Sequence, residues 1–235
     1  MTRILVHGAG RMARRVLALA PGFENCEVVG LVSRSRPEGM PSADWYAALD
    51  DFKNTADLLI DFTLPAGTLT AAEWCARNGV ALLTGTTGLS GEDKQVLAKT
   101  ALTVPVLWAP NLSFGVAVTS RLVRQAASTL GVGAAVHISE THHQHKLDAP
   151  SGTALALAAT VMEGRGEAEL TFSSVREGEV IGEHTVSFRF PDEEIEITHK
   201  ALNRDVFAKG ALKAGEWLVK QAPGYYSTSD WLDPG

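Results

Sequence analysis

The distribution of apolar residues changes character along the chain. Up to about residue 111, short runs that are apolar at every position alternate with stretches of helical periodicity. Uniformly apolar strands are typical of a parallel sheet that is covered by helices on both faces. The predicted strands are residues 4–6, 28–32, 58–60, 80–83 and 104–107, and the predicted helices are residues 11–20, 65–78 and 90–101. We therefore predict an α/β fold whose first domain, residues 1–111, contains a Rossmann-type parallel sheet.

A different pattern follows a long predicted helix over residues 113–130. Val186, Phe188 and Phe190 alternate with polar residues, and residues 194–198 alternate in the same way. This period of two is typical of a sheet with one dry and one wetter face. We predict a C-terminal α+β domain, residues 112–213, with a mixed and mostly antiparallel sheet. The last predicted helix, residues 205–221, could belong to either domain, and residues 214–235 are expected to return to the first.

Composition narrows the class of protein. A hydrophobic content of 45% and a net charge of -6 describe a globular protein without the bulk positive charge of nucleic-acid binders. The cysteines, Cys26 and Cys75, are expected to be buried free thiols. We find no signal-peptide pattern and no apolar run of membrane-spanning length, so we expect a cytoplasmic protein with no membrane partner.

A glycine-rich turn follows the first predicted strand. Residues 8–13 read GAGRMA, which fits the G-x-G-x-x-A pattern of dinucleotide-binding turns. Small residues let the backbone approach a pyrophosphate, and the helix that follows supplies N–H donors at its N-terminus. The alternative is a tight strand–helix turn that binds nothing.

The end of the second strand bears on the choice of cofactor. An acidic residue there would bind the ribose 2′-hydroxyl of NAD, but this chain has Ser33, followed by Arg34 and Arg36. Guanidinium groups suit a 2′-phosphate, which favours NADPH over NADH. The alternative is a solvated basic loop. Three further strand ends, residues 61–63, 85–88 and 109–111, should converge on the same ligand-binding edge.

Residues 140–154 concentrate groups suited to proton transfer. His142 and Lys146 lie four positions apart, a spacing that we interpret as one face of a strand or helix. They combine a side chain that titrates near neutrality with a cation. Ser151 is a natural N-cap, and the helix N-terminus that it begins would bind a carboxylate. A zinc site of His142, His143 and His145 and a purely structural polar loop are the alternatives.

The same segment resembles the signature of the dihydrodipicolinate reductase (4-hydroxy-tetrahydrodipicolinate reductase) family, E-x-H-H-x-x-K-x-D-x-P-S-G-T-A. Further family landmarks occur in the expected order along the whole chain, at residues 10–12, 61–65, 85–88, 111–116, 176–178, 182–184 and 196–201. The resemblance implies reduction of 4-hydroxy-tetrahydrodipicolinate to tetrahydrodipicolinate by NADPH or NADH, in diaminopimelate and lysine biosynthesis. It also implies a homotetramer assembled through the C-terminal sheets, and we expect the apolar strand face of Val186 and Phe188 to suit this assembly.

The resemblance also implies roles for individual residues. His142 would be the general acid/base and Lys146 the proton donor, while His143, Gly152 and Thr153 would bind the substrate carboxylates, and no metal is implied. The cofactor would be bound by three segments together with Ser33 and Arg34. Their residues are His7, Gly8, Ala9, Gly10, Arg11 and Met12, then Gly85, Thr86 and Thr87, and finally Ala109, Pro110, Asn111 and Leu112.

The chain departs from the family in its glycine turn. The family often has glycine where this chain has His7 and Ala13, which could change the turn geometry or the grip on the cofactor. Two other classes of protein stay open on the residues alone. A semialdehyde dehydrogenase would need a catalytic cysteine, and a cofactor-sensing regulator would bind NADPH without catalysis.

Overall fold

The computed structural model describes residues 1–39, 43–166 and 169–232. Its contacts divide the chain into two compact units. Unit 1 comprises residues 1–113 together with the segment that starts at residue 205, and unit 2 comprises residues 114–204. Residues 233–235, which belong to the predicted returning segment, lie outside the described residues. The predicted fold class is confirmed, because unit 1 contains a parallel sheet and unit 2 a mixed one.

Eleven strands and seven α-helices are assigned over the described residues. The strands are β1 (Thr2–His7), β2 (Cys26–Val32), β3 (Trp45–Tyr46), β4 (Leu58–Asp61), β5 (Ala81–Thr84), β6 (Pro105–Trp108), β7 (Ala135–His142), β8 (Leu170–Arg176), β9 (Gly182–Arg189), β10 (Glu194–Ala201) and β11 (Gly224–Tyr226). The helices are α1 (Arg11–Leu19), α2 (Pro65–Asn78), α3 (Gly91–Thr100), α4 (Phe114–Leu130), α5 (Gly152–Arg165), α6 (Asp205–Leu218) and α7 (Thr228–Leu232).

The sheet of unit 1 has the strand order β11-β6-β5-β4-β1-β2-β3, and its neighbouring strands pair in parallel. The central strands β4 and β5 are buried at every position, and the middle of β1, residues 4–6, is fully buried, as expected for a sheet covered on both faces. The five strands expected from the apolar runs are all present. The short edge strands β3 and β11 escaped prediction because two or three residues carry no periodicity.

Local sequence signals explain where the helices of unit 1 begin and end. Pro65 occupies the first turn of α2, and Gly79 ends that helix in the left-handed region at φ +69°. Ser90 and Asp93 form a reciprocal capping box at the start of α3. Arg15 and Asp205 form two short hydrogen bonds that tie α1 to α6.

The sheet of unit 2 has the order β10-β9-β7-β8, with β7 and β8 parallel and the other pairs antiparallel. Val186 and Phe188 are fully buried and belong to one core cluster with Val123 of α4 and Leu157 of α5. The apolar face of β9 is therefore covered by helices of the same unit. The expectation that this face takes part in assembly was therefore wrong. The described helices leave the opposite face of the sheet open.

That opposite face is rich in hydroxyl groups. Thr185 and Thr198 share a hydrogen bond of 2.8 Å across β9 and β10, and Ser187 donates to Glu196 at 3.1 Å. His137 contacts Thr171 and Ser173 of β8 through its two ring nitrogens, at 2.8 and 2.9 Å. We call this surface the hydroxyl face.

Both cysteines are free and buried, as predicted. Among the residues that the structure describes, no helix combines the length and apolar character needed to cross a membrane.

Candidate active site

The glycine turn after β1 has the backbone geometry that its sequence predicts. Gly8 has φ +110°, and a Cβ atom there would lie 2.8 Å from the carbonyl oxygen of Phe62. Helix α1 begins at Arg11, and its N-cap residue Gly10 provides no side-chain cap. Because the first N–H groups of a helix have no acceptor within it, this N-terminus is suited to an anion such as a pyrophosphate.

A buried carboxylate lies at the carboxyl ends of the central strands. Asp61 ends β4, is fully buried, and is paired in register with His7 of β1. His7 Nδ1 lies 3.0 Å from Asp61 Oδ1. Four threonine hydroxyls lie between 2.6 and 3.1 Å from the two carboxylate oxygens, those of Thr63, Thr68, Thr84 and Thr86. The sequence placed Asp61 at this edge, but did not identify it as the common acceptor.

These contacts keep Asp61 ionised. Burial alone would raise its pKa, but the imidazole of His7 and the hydroxyls of Thr68 and Thr63 lower the pKa below the ordinary value. His7, at the position where the family often has glycine, is therefore a partner of this carboxylate.

The expected cofactor residues in the loop after β2, Ser33 and Arg34, have different environments. The Ser33 hydroxyl donates to the carbonyl oxygen of Ser35 at 2.8 Å and lies 3.1 Å from Trp45 Nε1. Its side chain is thus engaged within the loop, whereas Arg34 and Arg36 are exposed.

The other two expected cofactor segments lie beside each other. The amide of Ala109 donates to the carbonyl oxygen of Thr84 at 3.0 Å, and a Cβ atom on Gly85 would lie 3.3 Å from Leu112. Thr86 is buried and its hydroxyl contacts Asp61. The carbonyl oxygen of Thr86 accepts from Trp108 Nε1 at 3.0 Å. Thr87 and Pro110 are exposed, while Asn111 is partly exposed. Unit 1 therefore brings three of the expected segments to one edge of its sheet.

In unit 2, Glu140 and His142 share the inward face of β7. His142 Nδ1 lies 2.5 Å from Glu140 Oε2, and Arg176 Nη2 donates to Glu140 Oε1 at 2.8 Å. Burial alone would raise the pKa of Glu140, but hydrogen bonds from Ser174, Arg176 and Ser151 lower it to about 2. Burial lowers the pKa of His142, and the charge of Glu140 opposes that effect.

The start of α5 adjoins this pair. Ser151 caps the helix as predicted, because its hydroxyl accepts from the amide of Ala154 at 3.2 Å. Its own amide donates to Glu140 Oε1 at 3.2 Å. The ring of His184 lies 3.1 Å from the Ser151 hydroxyl through Nε2 and packs edge-to-face on His142, with 4.9 Å between ring centroids. Burial lowers the pKa of His184 to about 4, so this ring is neutral near pH 7.

Lys146 lies in a turn after β7, rather than on a continuous strand or helix with His142, so the structural reason given for their proximity was wrong. Its ammonium group donates to both oxygens of Asp148, at 2.7 and 2.9 Å. The hydrogen bond from Lys146 lowers the pKa of Asp148, and the backbone amide of Gly152 contributes in the same direction. One carboxylate therefore contacts both the Lys146 cation and the start of α5.

The histidines do not form the trio considered for zinc. His145 is exposed, His143 is partly exposed, and their ring centroids lie 6.3 Å apart. Within the described ranges, the one group close enough to hold a metal ion is Glu140, His142 and His184. The guanidinium of Arg176 already neutralises the carboxylate of this group.

The thiols are unsuited to catalysis. Burial raises the pKa of Cys26 to about 12 and raises that of Cys75 well above its ordinary value. A catalytic thiolate, which a semialdehyde dehydrogenase requires, is therefore not available from either residue.

The parallel sheet with its uncapped helix N-terminus, together with a histidine and lysine site in a second unit, defines a Rossmann-type oxidoreductase. Family models described as dihydrodipicolinate reductase, N-terminus and C-terminus, match residues 2–112 and 115–232. The chain therefore belongs to the dihydrodipicolinate reductase family.

Relatives and solved structures agree with this membership. The chain is 42% identical to a 4-hydroxy-tetrahydrodipicolinate reductase of Stenotrophomonas maltophilia, over 98% of this chain and 97% of the relative. It is 38% identical to one of Anaeromyxobacter dehalogenans, over 99% and 98%. A dipicolinate-bound dihydrodipicolinate reductase from Paenisporosarcina sp. TG-14 has the same fold, with a TM-score of 0.84 at 24% identity over 97% of each chain.

The sequence analysis assigned no individual role to four side chains that contribute to the separate candidate sites of the two units. These are Asp61, Asp148, Arg176 and His184. Asp148 lies inside the His/Lys segment, so its spacing from Lys146 could have indicated the pair. Arg176 and His184 reach Glu140 and Ser151 through pairing of β7 with β8 and β9, and only the tertiary fold reveals those contacts.

Proposed function

We propose that this protein reduces 4-hydroxy-tetrahydrodipicolinate to tetrahydrodipicolinate in diaminopimelate and lysine biosynthesis. Family membership and the names of the full-length relatives support the reaction. The 4-hydroxyl group leaves as water, so the substrate gains a hydride and the reaction consumes one proton. A bound nicotinamide cofactor supplies the hydride, and the protein must place the proton and the two substrate carboxylates.

The observation that carries this proposal is the position of Asp148. Its carboxylate contacts the ammonium group of Lys146 and the backbone at Gly152 at the same time. The same two groups could hold a carboxylate of the substrate, because a cation and a helix N-terminus both favour an anion. We assign Gly152, Thr153 and His143 to carboxylate binding, and the open space around the Cα of Gly152 leaves room for it.

Lys146 and His142 are the proposed proton-transfer residues. The ammonium group of Lys146 is paired with Asp148 and would donate a proton to the substrate. His142 is buried, and burial lowers its pKa below the ordinary value, although the neighbouring carboxylate of Glu140 opposes this effect. A ring in that situation can act as a general acid/base near neutral pH.

The residues at the edge of unit 1 fit a dinucleotide. The amides at the start of α1 would bind the pyrophosphate, which the close approach at Gly8 permits. Arg34 is the proposed partner of a 2′-phosphate, which makes NADPH the preferred cofactor and NADH the alternative. The exposed guanidinium and the internally bonded Ser33 hydroxyl support this choice.

A coupled assay tests the catalytic roles. Dihydrodipicolinate synthase generates the substrate, and NADPH oxidation is followed for the wild type, His142→Gln and Lys146→Ala. We expect kcat to fall by about 100-fold or more in both variants, which is the usual scale of a lost proton-transfer group. Lys53→Ala, a surface lysine that donates to the Asp50 carbonyl oxygen, is the matched control.

Two outcomes of this assay would contradict the proposal. A wild-type protein that binds NADPH but oxidises none would be a cofactor-sensing regulator instead. A Lys146 variant as fast as the wild type would remove the proposed proton donor.

Cofactor choice is tested separately by Arg34→Ala. Loss of a hydrogen bond to a charged group should lower the ratio of kcat/KM for NADPH to that for NADH by about 10- to 100-fold. Arg77→Ala, which removes an exposed arginine paired with Asp50, should leave the ratio unchanged. An unchanged ratio in the Arg34 variant would refute the 2′-phosphate role.

Assembly and location complete the proposal. We infer a homotetramer that uses the hydroxyl face of unit 2, because its Thr, Ser and His side chains offer donors and acceptors for a second copy. Free, buried cysteines are consistent with a reducing cytoplasm. Sedimentation of the wild type and of Thr185→Arg tests the interface, and an unchanged tetramer in the variant would exclude this face.

A further inference from the structure

Glu140 connects three elements of unit 2. One carboxylate oxygen, Oε1, accepts from the amide of Ser151 at the start of α5 and from Arg176 of β8. The other, Oε2, lies 2.5 Å from His142 Nδ1 on its own strand, β7. The side chain is 1% exposed, so these contacts form away from bulk water.

The contact with Nδ1 bears on which ring nitrogen can reach a substrate. A carboxylate beside one imidazole nitrogen favours a proton on that nitrogen and holds the ring in one orientation. With Nδ1 facing Glu140, Nε2 of His142 is the nitrogen left for exchange with a ligand. Gly182 of β9 leaves room for this ring, because a Cβ there would lie 3.1 Å from Nε2.

Through its contact with Ser151, Glu140 also positions the backbone that is proposed to bind a substrate carboxylate. Ser151 immediately precedes Gly152 and Thr153, and its hydroxyl caps the helix that carries them. A single carboxylate therefore fixes both the proposed acid/base ring and the proposed anion-binding backbone.

We propose that Glu140 is a positioning residue that holds the ring of His142 and the N-terminus of α5 in the relative position that the reaction requires. This inference rests on the proposed function, because it gives His142 its acid/base role. Arg176 supports Glu140 by neutralising part of its charge from the other side.

The charges around His142 predict how the pH dependence of kcat should change when Glu140 is replaced. Burial lowers the pKa of His142 most, Glu140 raises it, and the cations of Lys146 and Arg176 lower it. The ring of His184 packs against it and is neutral near pH 7. Glu140 stays ionised down to about pH 2, so its removal takes away the main influence that raises the pKa of His142.

The test uses the full chain and compares kcat and KM across pH for the wild type, Glu140→Gln, Glu140→Asp and His142→Gln. The inflection that disappears in His142→Gln identifies the titration of that ring. In Glu140→Gln we expect kcat to fall about 10- to 100-fold, by analogy with partners that orient metal-bound histidines, and this inflection to move to lower pH.

Glu140→Asp keeps the charge but shortens the side chain, so it cannot reach His142 and Ser151 equally. We expect it to lower kcat while the inflection stays nearer the wild-type pH than in the glutamine variant. It also provides a readout if Glu140→Gln fails to fold. Glu163→Gln, which removes a carboxylate paired with Arg124 on the surface, is the matched control and should leave both quantities unchanged.

The outcomes separate this inference from the proposed function. If His142→Gln is as active as the wild type, the acid/base assignment itself fails. If His142→Gln is impaired but folded Glu140 variants keep the wild-type kcat and inflection, Glu140 has no positioning role. A purely structural role predicts lower stability and less active protein with an unmoved inflection.

Discussion

Replacing Asp61 by alanine tests how strongly one buried carboxylate stabilises the ligand-binding edge of the parallel sheet. The variant removes the common acceptor of four threonine hydroxyls and the partner of His7. Thr63 and Thr86 also lie 3.2 and 3.3 Å from backbone carbonyl oxygens, so their hydroxyls can turn to those acceptors. Thr68 and Thr84 are fully buried, and they lose the carboxylate that they contact.

The magnitude follows from these two hydroxyls. A buried hydroxyl whose proton is left without an acceptor costs about 1–3 kcal/mol, so Asp61→Ala should lower the free energy of unfolding by about 2–6 kcal/mol. The Thr84 hydroxyl still accepts from the amide of Thr86 at 3.2 Å, so it loses only the hydrogen bond that it donates. Urea denaturation followed by circular dichroism measures the change. Asp50→Ala removes an exposed carboxylate paired with Arg77 and should cost less than about 1 kcal/mol. An Asp61 variant as stable as the Asp50 variant would refute this reasoning.

The effect should also depend on pH. The pKa of Asp61 is lowered in the folded chain, so folding favours its ionised form. Its contribution is complete above the unfolded pKa of about 3.9 and is lost as the pH falls through the lower folded pKa. The difference in stability between the wild type and Asp61→Ala should therefore be constant from pH 6 to about pH 4 and shrink as the pH falls below about 4. A difference that stays constant below about pH 4 would show that the charge is unimportant.

Three further predictions concern unit 2. Gly164→Ala should destabilise the protein by about 1–3 kcal/mol in thermal or urea unfolding, because its Cβ would lie 2.7 Å from the Arg124 carbonyl oxygen. Gly152→Ala, with open space at its Cβ, is the stability control, and equal effects would contradict the packing argument. Ser151→Ala should cost about 1 kcal/mol through loss of the helix cap, and an unchanged urea midpoint would refute the cap. Stability from Glu140 should be complete above about pH 4.3 and lost as pH falls towards its folded pKa of about 2; acid titrations identical for wild type and Glu140→Gln would contradict this.

The sequence was sufficient for the five longer strands of the parallel sheet but not for all of the mixed one. Runs such as residues 58–60 are short and apolar throughout, which is typical of strands buried on both faces of a parallel sheet. Strand β7 escaped prediction because Glu140 and His142 occupy its inward face, where apolar residues would continue the alternation of Val136 and Ile138. Strand β8 escaped because its hydroxyl residues conceal the pattern. In β7, the residues of the proposed site themselves interrupted the signal.

The candidate site was predictable where its groups lie close together in the chain. The cap at Ser151 follows from residue type and position alone. The partnership of Glu140 with Arg176 joins residues 36 positions apart and depends on the register of β7 with β8, which spacing cannot supply. The prediction that Lys146 shares one strand or helix face with His142 was wrong for a similar reason. Lys146 lies in a turn, where the spacing of a regular element does not apply.

The return of α6 to unit 1 has a consequence for the order in which the chain can fold on the ribosome. Ala211 and Leu212 of α6 share a core cluster with Ile4 and Ile60, so part of the first sheet stays uncovered until they have been made. Unit 2 is continuous in sequence and can bury its own core earlier. A nascent chain that has reached residue 204 therefore still exposes apolar surface in its N-terminal half, which makes that stage of synthesis the natural point for a chaperone to act.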